Sequence, residues 1–433
     1  MQKRITCTLL VAGLLVLGSG SALATGFSIY EAGSKATALG CAFTATADDG
    51  SALFYNAAGL SFMTGSRVEA NAVFVAPKFS FNGKLSPADA TASTGEAENK
   101  VYPVPGVYYT NNPGGKLAFG IGVYAPFGLG VVWDDGANWI GRRVSHDVQI
   151  ETVYVTPALS FKVTDNFAIA AGVDVAHQNL ELKKYTPESV TGTNAIHTTI
   201  KGSSSINLTP SLGLMYRPTE KLSLGAMYHF KKTMKFDDGD ATLDPLNTFG
   251  SVVVSNLGGS DHNLSSDLNL PDIMSLGAAY RFGDKFKAEF NYVRFGWSAF
   301  DKLALNFEND LLDQTIHFNY EDSWQLRFGF DYQANEKWNL MAGYVRDTTP
   351  QPLEAVSPLL PDSDRNDYSF GALYKSGNWD FSVSYMVVVG EERTNIENGE
   401  PVRPTDESGN SDYPFGTYKS LANLFGFGVG YNF

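Results

Sequence analysis

Ser145, His146 and Asp147 stand side by side, the residue types of a nucleophile, a base and an orienting acid. That chemistry needs the three side chains to converge, and neighbours on an extended strand point to opposite faces. No other spacing supports a nucleophile–base pair, so no catalytic residue is assigned and an enzyme is the disfavoured class. His, Cys, Asp and Glu show no metal-ligand spacing, and neither a metal nor a cofactor is expected. Gly120, Gly122 and Gly128 are small residues of a strand rather than a phosphate loop, because no helix follows them. What remains is the chemistry of contact. His317, Glu321 and Arg327 fall on one side of an alternating segment. There Arg327 and His317 offer a cation to a buried carboxylate, whereas Glu321 would repel one. Pairing of Arg327 with Glu321 or Asp331 is the competing role for that cation. Tyr124-Ala125-Pro126-Phe127-Gly128-Leu129-Gly130 interrupts a strand pattern. Proline removes a ladder donor and glycine weakens pairing, so the segment predicts a bulge or kink in mid-strand.

The elements that carry these residues are strands. Ile206, Leu208, Pro210, Leu212, Leu214 and Tyr216 alternate with Ser205, Asn207, Thr209, Ser211 and Gly213. Leu222, Leu224, Ala226, Tyr228 and Phe230 alternate with Ser223, Gly225, His229 and Lys231. Ile316, Phe318, Tyr320, Trp324, Leu326, Phe328, Phe330 and Tyr332 alternate with His317, Asn319, Glu321, Ser323, Gln325, Arg327 and Asp331. A period of two puts each set on one face of a strand. Fourteen strands are expected, at 67–83, 99–110, 116–133, 146–162, 167–185, 198–217, 222–238, 263–282, 286–307, 313–333, 338–348, 366–376, 379–390 and 418–433. Many are longer than the roughly 5–6 residues usual in soluble sheets. Tight connections at 111–115, 164–166, 218–221, 283–285, 334–337 and 376–378 alternate with long ones, the largest near 239–262, 349–365 and 391–417. That pattern is the one shown by bacterial outer-membrane barrels, with periplasmic turns and outer loops.

The chain's first residues agree with this destination. Lys3 and Arg4, an apolar run from Ile5 to Leu17 and the small-residue ending Ala22-Leu23-Ala24 read as a secretory leader, 1–24. No later segment is apolar for the length of a spanning helix. The formal charge of −14 becomes −16 when Lys3 and Arg4 leave, which argues against a nucleic-acid partner. Cys41 is then the single remaining cysteine and reads as a small buried hydrophobe. Phe425, Phe427, Val429, Tyr431 and the terminal Phe433 alternate with Gly426, Gly428, Gly430 and Asn432. A last strand ending on an aromatic resembles the signal that the barrel-assembly machinery reads.

The fold class expected is therefore all-β, a fourteen-stranded antiparallel transmembrane β-barrel in the outer membrane of a Gram-negative bacterium. Eight strands already suffice for a packed interior, so fourteen enclose a lumen that something must plug, or that water fills. Residues 25–65 do not alternate. Asp48 or Asp49 and Asn56 are suitable N-caps for two very short helices, and the segment reads as a hatch ahead of the barrel, 66–433.

Gly26-Phe27, Tyr30-Glu31, Ala47-Asp48-Asp49 and Asn56-Ala57-Ala58-Gly59-Leu60 resemble the N-terminal signature of the FadL family of outer-membrane transporters for long-chain fatty acids and aromatic hydrocarbons. Leu268-Asn-Leu-Pro271-Asp272, Trp297-Ser298-Ala-Phe300, Arg346-Asp347-Thr-Thr-Pro350 and Pro361-Asp362-Ser-Asp364-Arg365 extend the resemblance along the chain. One departure stands at Ala57, where the family carries proline. The resemblance implies a fourteen-stranded barrel with an N-terminal hatch, acting as a monomer surrounded by lipid and lipopolysaccharide. It also implies that Tyr124–Leu129 kink inward to open the wall, so that a hydrophobic ligand binds in the lumen and leaves sideways. The extreme N-terminus, Gly26 and Phe27, would reach the ligand pocket and release ligand by moving. A basic residue near Glu321 is usual in fatty-acid members; its replacement by an acid leaves a neutral substrate open. An aqueous porin is the alternative mechanism, and an outer-membrane barrel enzyme the alternative of a different class.

Overall fold

A computed structural model describes residues 26–85, 93–188, 191–402 and 412–433; the expected leader lies outside them. The wall begins with β1 (Gly65–Lys84), β2 (Tyr102–Asn112) and β3, which is made of two pieces, Leu117–Tyr124 and Gly128–Val132. β4 (Asp147–Thr164) and β5 (Phe167–Pro187) follow. Three strands in a row are then also broken: β6 (Asn194–Ser203 and Asn207–Tyr216), β7 (Leu222–His229 and Lys232–Pro245) and β8 (Asp261–Leu270 and Ile273–Phe282). β9 is Phe286–Phe295 with an extension at Lys302–Phe307, and β10 is Gln314–His317 and Ser323–Gln333. β11 (Trp338–Asp347), β12 (Arg365–Ser376), β13 (Trp379–Gly390) and β14 (Phe415–Asn432) complete the wall. β14 returns to β1 in antiparallel register from Arg67↔Asn432 to Lys84↔Phe415. The sheet is thus a closed fourteen-stranded barrel whose seam leaves no edge in hydrocarbon.

Alternation sorts the two faces. Leu159, Ile169, Leu208, Leu212, Leu214 and Phe370 are exposed outward, while their neighbours Ser160, Ala170, Ser211 and Ser369 are buried toward the lumen. Aromatic pairs such as Trp338–Tyr374 and Trp379–Tyr431 mark the end that carries the tight turns. They form the girdle expected where hydrocarbon meets headgroups.

Residues 26–63 fold inside the barrel, with α1 at Ser34–Ala38, α2 at Ala52–Tyr55 and a 3-10 turn at Ala57–Phe62. The wall satisfies the backbone that these short elements leave unpaired. Asn291 Oδ1 accepts from the amides of Phe43 and Thr44 at 2.9 and 3.1 Å, and Glu289 accepts from Ala45 at 2.7 Å. Asn112 donates to the carbonyls of Leu60, Ser61 and Met63. Asn56 accepts from Ala58 N at 3.1 Å and so caps the 3-10 turn, while donating to Thr44 and Leu214 carbonyls. The aspartates act otherwise than the caps expected. Asp49 accepts from the amide and hydroxyl of Ser51, the residue ahead of α2, and Asp48 pairs with Lys35 at 2.5 Å.

Two alternating runs change face where the sequence pattern reads straight through. Asn319 has φ +49°, and Phe318 and Tyr320 turn inward onto Phe300, at ring distances of 4.4 and 5.1 Å. Trp324 and Phe330, counted with them, point outward. In β7 the break after His229 flips the parity, so that Lys232 is buried and Lys231 is exposed. A period-two count has no term for such breaks, and both are corrections to it.

Candidate functional site at the break in the third strand

Tyr124 pairs with Tyr154 of β4, and Gly128 pairs with Glu151. Three residues therefore stand on β3 where two stand on β4, one in excess, and the strand bulges at Ala125-Pro126-Phe127. On its other side the consequence is larger. The ladder between β2 and β3 runs only from Asn111↔Phe119 to Val107↔Val123. Above it, Tyr102–Gly106 still pair with β1 and Gly128–Val132 still pair with β4, but not with each other. Contact resumes at the Ala97↔Trp133 bridge. Among the described residues this leaves a gap in the wall's hydrogen bonding, bounded at Val123 and at Val132, whose carbonyl accepts from Glu98 N at 2.7 Å. Val123 lies six residues beyond Leu117, the first residue of β3 after the tight turn. At about 3.4 Å per residue and a tilt near 40°, that is roughly 15 Å up the wall, within an apolar band about 25 Å tall. Pro103 and Pro105 on β2 face this stretch of chain without amide donors. Two prolines two residues apart in a strand were the sequence signal for this side of the gap, and the kink on β3 alone did not disclose it.

The N-terminal segment occupies the break. Ile29 N donates to Pro126 O at 2.8 Å, Gly128 N donates to Phe27 O at 2.9 Å, and Ser28 bridges Phe127. Pro126 O and Gly128 N, released from the ladder, are thus paired by the hatch. Phe27 is buried against Trp297, Phe300 and Phe127, with ring centroids 4.8, 5.4 and 6.1 Å away. Gly26 adopts φ +69° with its Cα against the Trp297 ring, where a Cβ would approach to 2.9 Å. Its amide donates to Asp362 at 3.1 Å. Asp362 also faces Arg365, which bonds Asp347, so the distant motifs around residues 297, 347 and 362 converge on one terminus. Beside the break lies a cavity of about 10 Å³, lined by Phe54, Tyr124, Pro126, Phe127, Tyr154, His229, Lys232, Pro271 and Ile273. That is room for about one water, so nothing larger fits while Phe54 and Phe127 hold their places.

The polar residues singled out along β10 separate. Arg327 is buried and faces the hatch, donating to Gln325 at 2.7 Å and to Cys41 O at 3.1 Å beneath the ring of Tyr30. It pairs with neither Glu321 nor Asp331, whose ion contact is Lys287 at 3.9 Å. His317 and Glu321 are exposed, on the far side of the turn at Asn319. The expectation that Glu321 points into the lumen is thereby corrected. Gly120 and Gly122 do face the lumen, against Leu53 of the hatch. His146 contacts His197 rather than Ser145, with Nε2 atoms 3.0 Å apart. Asp174, His229 and Lys232, which pattern reading passed over, form a buried cluster at the cavity. No short motif could have found them, because 55 residues and a broken strand separate the first two.

Glu31 sits fully buried, two residues beyond Ile29 at the break. Burial, reinforced by Asp367, pushes its carboxyl up from the ordinary carboxylate value to about 7. A carboxyl raised in the docked state favours docking below its free pKa, and that contribution is lost as pH rises through about 7. Hydrogen-exchange protection of residues 27–33 is therefore expected to be higher at pH 5.5 than at pH 8. Glu31→Gln should remove the difference, whereas equal protection factors in the wild type would refute this account of docking.

The sequence profile of the family described as outer membrane protein transport protein (OMPP1/FadL/TodX) matches residues 15–433. Outer membrane protein P1 of Haemophilus influenzae is 24% identical over 98% of this chain and 98% of its own. The long-chain fatty acid transport protein of Escherichia coli O6:H1 is 22% identical, covering 100% of each. The crystal structure of a Pseudomonas aeruginosa FadL homologue superposes with a TM-score of 0.80 at 20% identity, over 94% of this chain and 100% of that one. The Ralstonia pickettii toluene transporter TbuX gives 0.65 at 16%, over 93% and 98%. At these identities the solved structures show a shared fold.

Proposed function

Since the chain belongs to the OMPP1/FadL/TodX family of outer membrane transport proteins, we propose that it binds a hydrophobic small molecule in the lumen and passes it sideways between β2 and β3. As a member of that family it is a transporter of the Gram-negative outer membrane and not an enzyme. The observation that carries the lateral route is the gap above Val107↔Val123, stoppered by Phe27 and Ile29. An apolar molecule that leaves through the wall moves directly into hydrocarbon, whereas the periplasmic route would take it through water. Relatives named for long-chain fatty acid and for toluene transport support an apolar cargo. The packed hatch supports this reading over an open diffusion channel.

Transport then requires the N-terminus to leave the break. The bridge between Ser28 and Phe127 brings two Cα atoms within disulfide range. In a Ser28→Cys, Phe127→Cys variant, oxidation should stop uptake of a long-chain fatty acid or monoaromatic compound, and reduction should restore it. Cys41 takes no part, because burial pushes its thiol up to about 12. Equal uptake in the oxidised and reduced forms would exclude the N-terminus as the gate.

A further inference from the structure

The chain carries a formal charge of −14, yet one side of the barrel mouth at the tight-turn end gathers cations. Strand register places them. Arg281, near the end of β8, stands opposite Lys287 of β9, and its amide donates to the carbonyl of Lys221 just ahead of β7. Arg217 follows Tyr216, the last residue of β6, which pairs with Leu224 of β7. Four consecutive strands thus bring Arg217, Lys221, Arg281 and Lys287 to one arc, and all four line a cavity of about 780 Å³. Ala45, Thr46 and Phe62 of the hatch line the same cavity, so it lies where hatch meets wall.

These cations are short of partners. The buried Nε of Arg217 donates no hydrogen bond, and its guanidinium reaches the Met215 thioether at 3.7 Å. Among the described residues Arg217, Lys221 and Arg281 form no ion pair, and Lys287 meets Asp331 at 3.9 Å. Of the acids lining the cavity, Asp48 is held by Lys35 at 2.5 Å. Asp165 and Glu220 are what remains against the four cations. Across the mouth the arrangement is different, because Arg67 is engaged by both Glu69 and Asp380. Phe62 lies beneath Arg217 at 4.2 Å and Lys162 at 5.5 Å, so the hatch meets the cavity with its aromatic ring covered by charge.

We infer that this vestibule is a binding site for a small polyanion that carries two or more phosphate or carboxylate groups. The planar forks of Arg217 and Arg281 suit the paired oxygens of such groups, and Lys221 and Lys287 add point charges beside them. A cleft lined by one sign of charge also concentrates ions of the other sign. The volume falls in the range of small-molecule pockets. A hydrocarbon in the same place would strip water from four cations and pair none of them. The site is therefore separate from the route of an apolar cargo and does not depend on it. A polyanion held there touches hatch and wall together, so its binding stabilises the docked hatch.

The experiment titrates pyrophosphate into the full-length protein in a maltoside detergent, at neutral pH and low ionic strength, by isothermal calorimetry. One saturable site is expected, and its affinity should fall as salt is added. Arg217→Gln and Arg281→Gln should each weaken binding roughly tenfold or more, as loss of a charged hydrogen-bonding group does. Lys116→Gln, at an exposed turn outside the cavity, should leave it unchanged. Folding is checked by the heat-modifiable electrophoretic mobility of barrels. Arg281 is exposed, so its variant keeps the test decisive if Arg217→Gln does not fold. Saturating pyrophosphate should also slow amide exchange at residues 44–48 of the hatch. Absence of saturable binding, equal affinity in all variants, or unchanged exchange at saturation would each overturn the site.

Discussion

Deleting residues 27–60 is expected to leave a barrel that still assembles but leaks small polar solutes. Assembly should survive because the closure of β14 on β1 and the terminal Phe433 lie outside the deleted segment. The wall groups that lose hatch partners, among them Asn112, Glu289, Asn291 and Ser369, face the lumen, where water replaces those partners. The leak follows from geometry: fourteen strands enclose more space than their own side chains fill, and the hatch is what fills it. Glycines at Gly426 and Gly428 stand against Ser34, so on that side the wall is trimmed to receive the hatch rather than to close the lumen itself. In liposomes the truncated barrel should conduct roughly tenfold more than wild type or better, as an unplugged barrel does. Conductance equal to wild type would mean that the described loops, and not the hatch, seal the lumen.

The wall was legible because its physics is periodic. A strand with lipid on one side and hatch or water on the other must alternate, as Leu208, Leu212 and Leu214 do against Thr209, Ser211 and Gly213. Closure, strand number and the side bearing tight turns followed from the same count. The hatch announced itself in the sequence as a stretch that does not alternate, and its detail was not legible. Its helices are a turn long, and their capping falls to Asn56, to Ser51 with Asp49, and to the facing wall, which no local window contains.

The candidate site was legible only where a breaker residue announced it. Pro126 and Gly128 pointed to β3, yet the depth of the gap depends equally on Pro103 and Pro105 across from them. Polar residues fared worse, because breaks that change a strand's face are set by tertiary contacts. Asn319 in the left-handed region moved Glu321 out to solvent, and the break after His229 turned Lys232 in. The argument for a neutral cargo rested on Glu321 in the lumen, and with Glu321 exposed that support is gone.

Closing the gap between β2 and β3 tests lateral transfer most directly. Deleting Pro126 removes the one residue by which β3 exceeds β4, and Gly128→Thr, Pro103→Val and Pro105→Thr restore side chains and donors on both edges. Restored pairing should be visible as new amide protection at residues 103–106. An apolar cargo gains about 0.8 kcal/mol for each methylene that passes from water into hydrocarbon, and a gap at bilayer depth gives it that gain without a periplasmic step. With the wall closed, uptake of a long-chain fatty acid by cells should fall at least roughly tenfold, a barrier increase of about 1.4 kcal/mol or more. Binding to the purified protein should persist, because Phe54, Tyr154, His229 and Lys232, which line the cavity beside the break, lie in the hatch, β4 and β7 rather than on the repaired edge. Uptake at the wild-type rate through a wall shown to be closed would contradict lateral transfer.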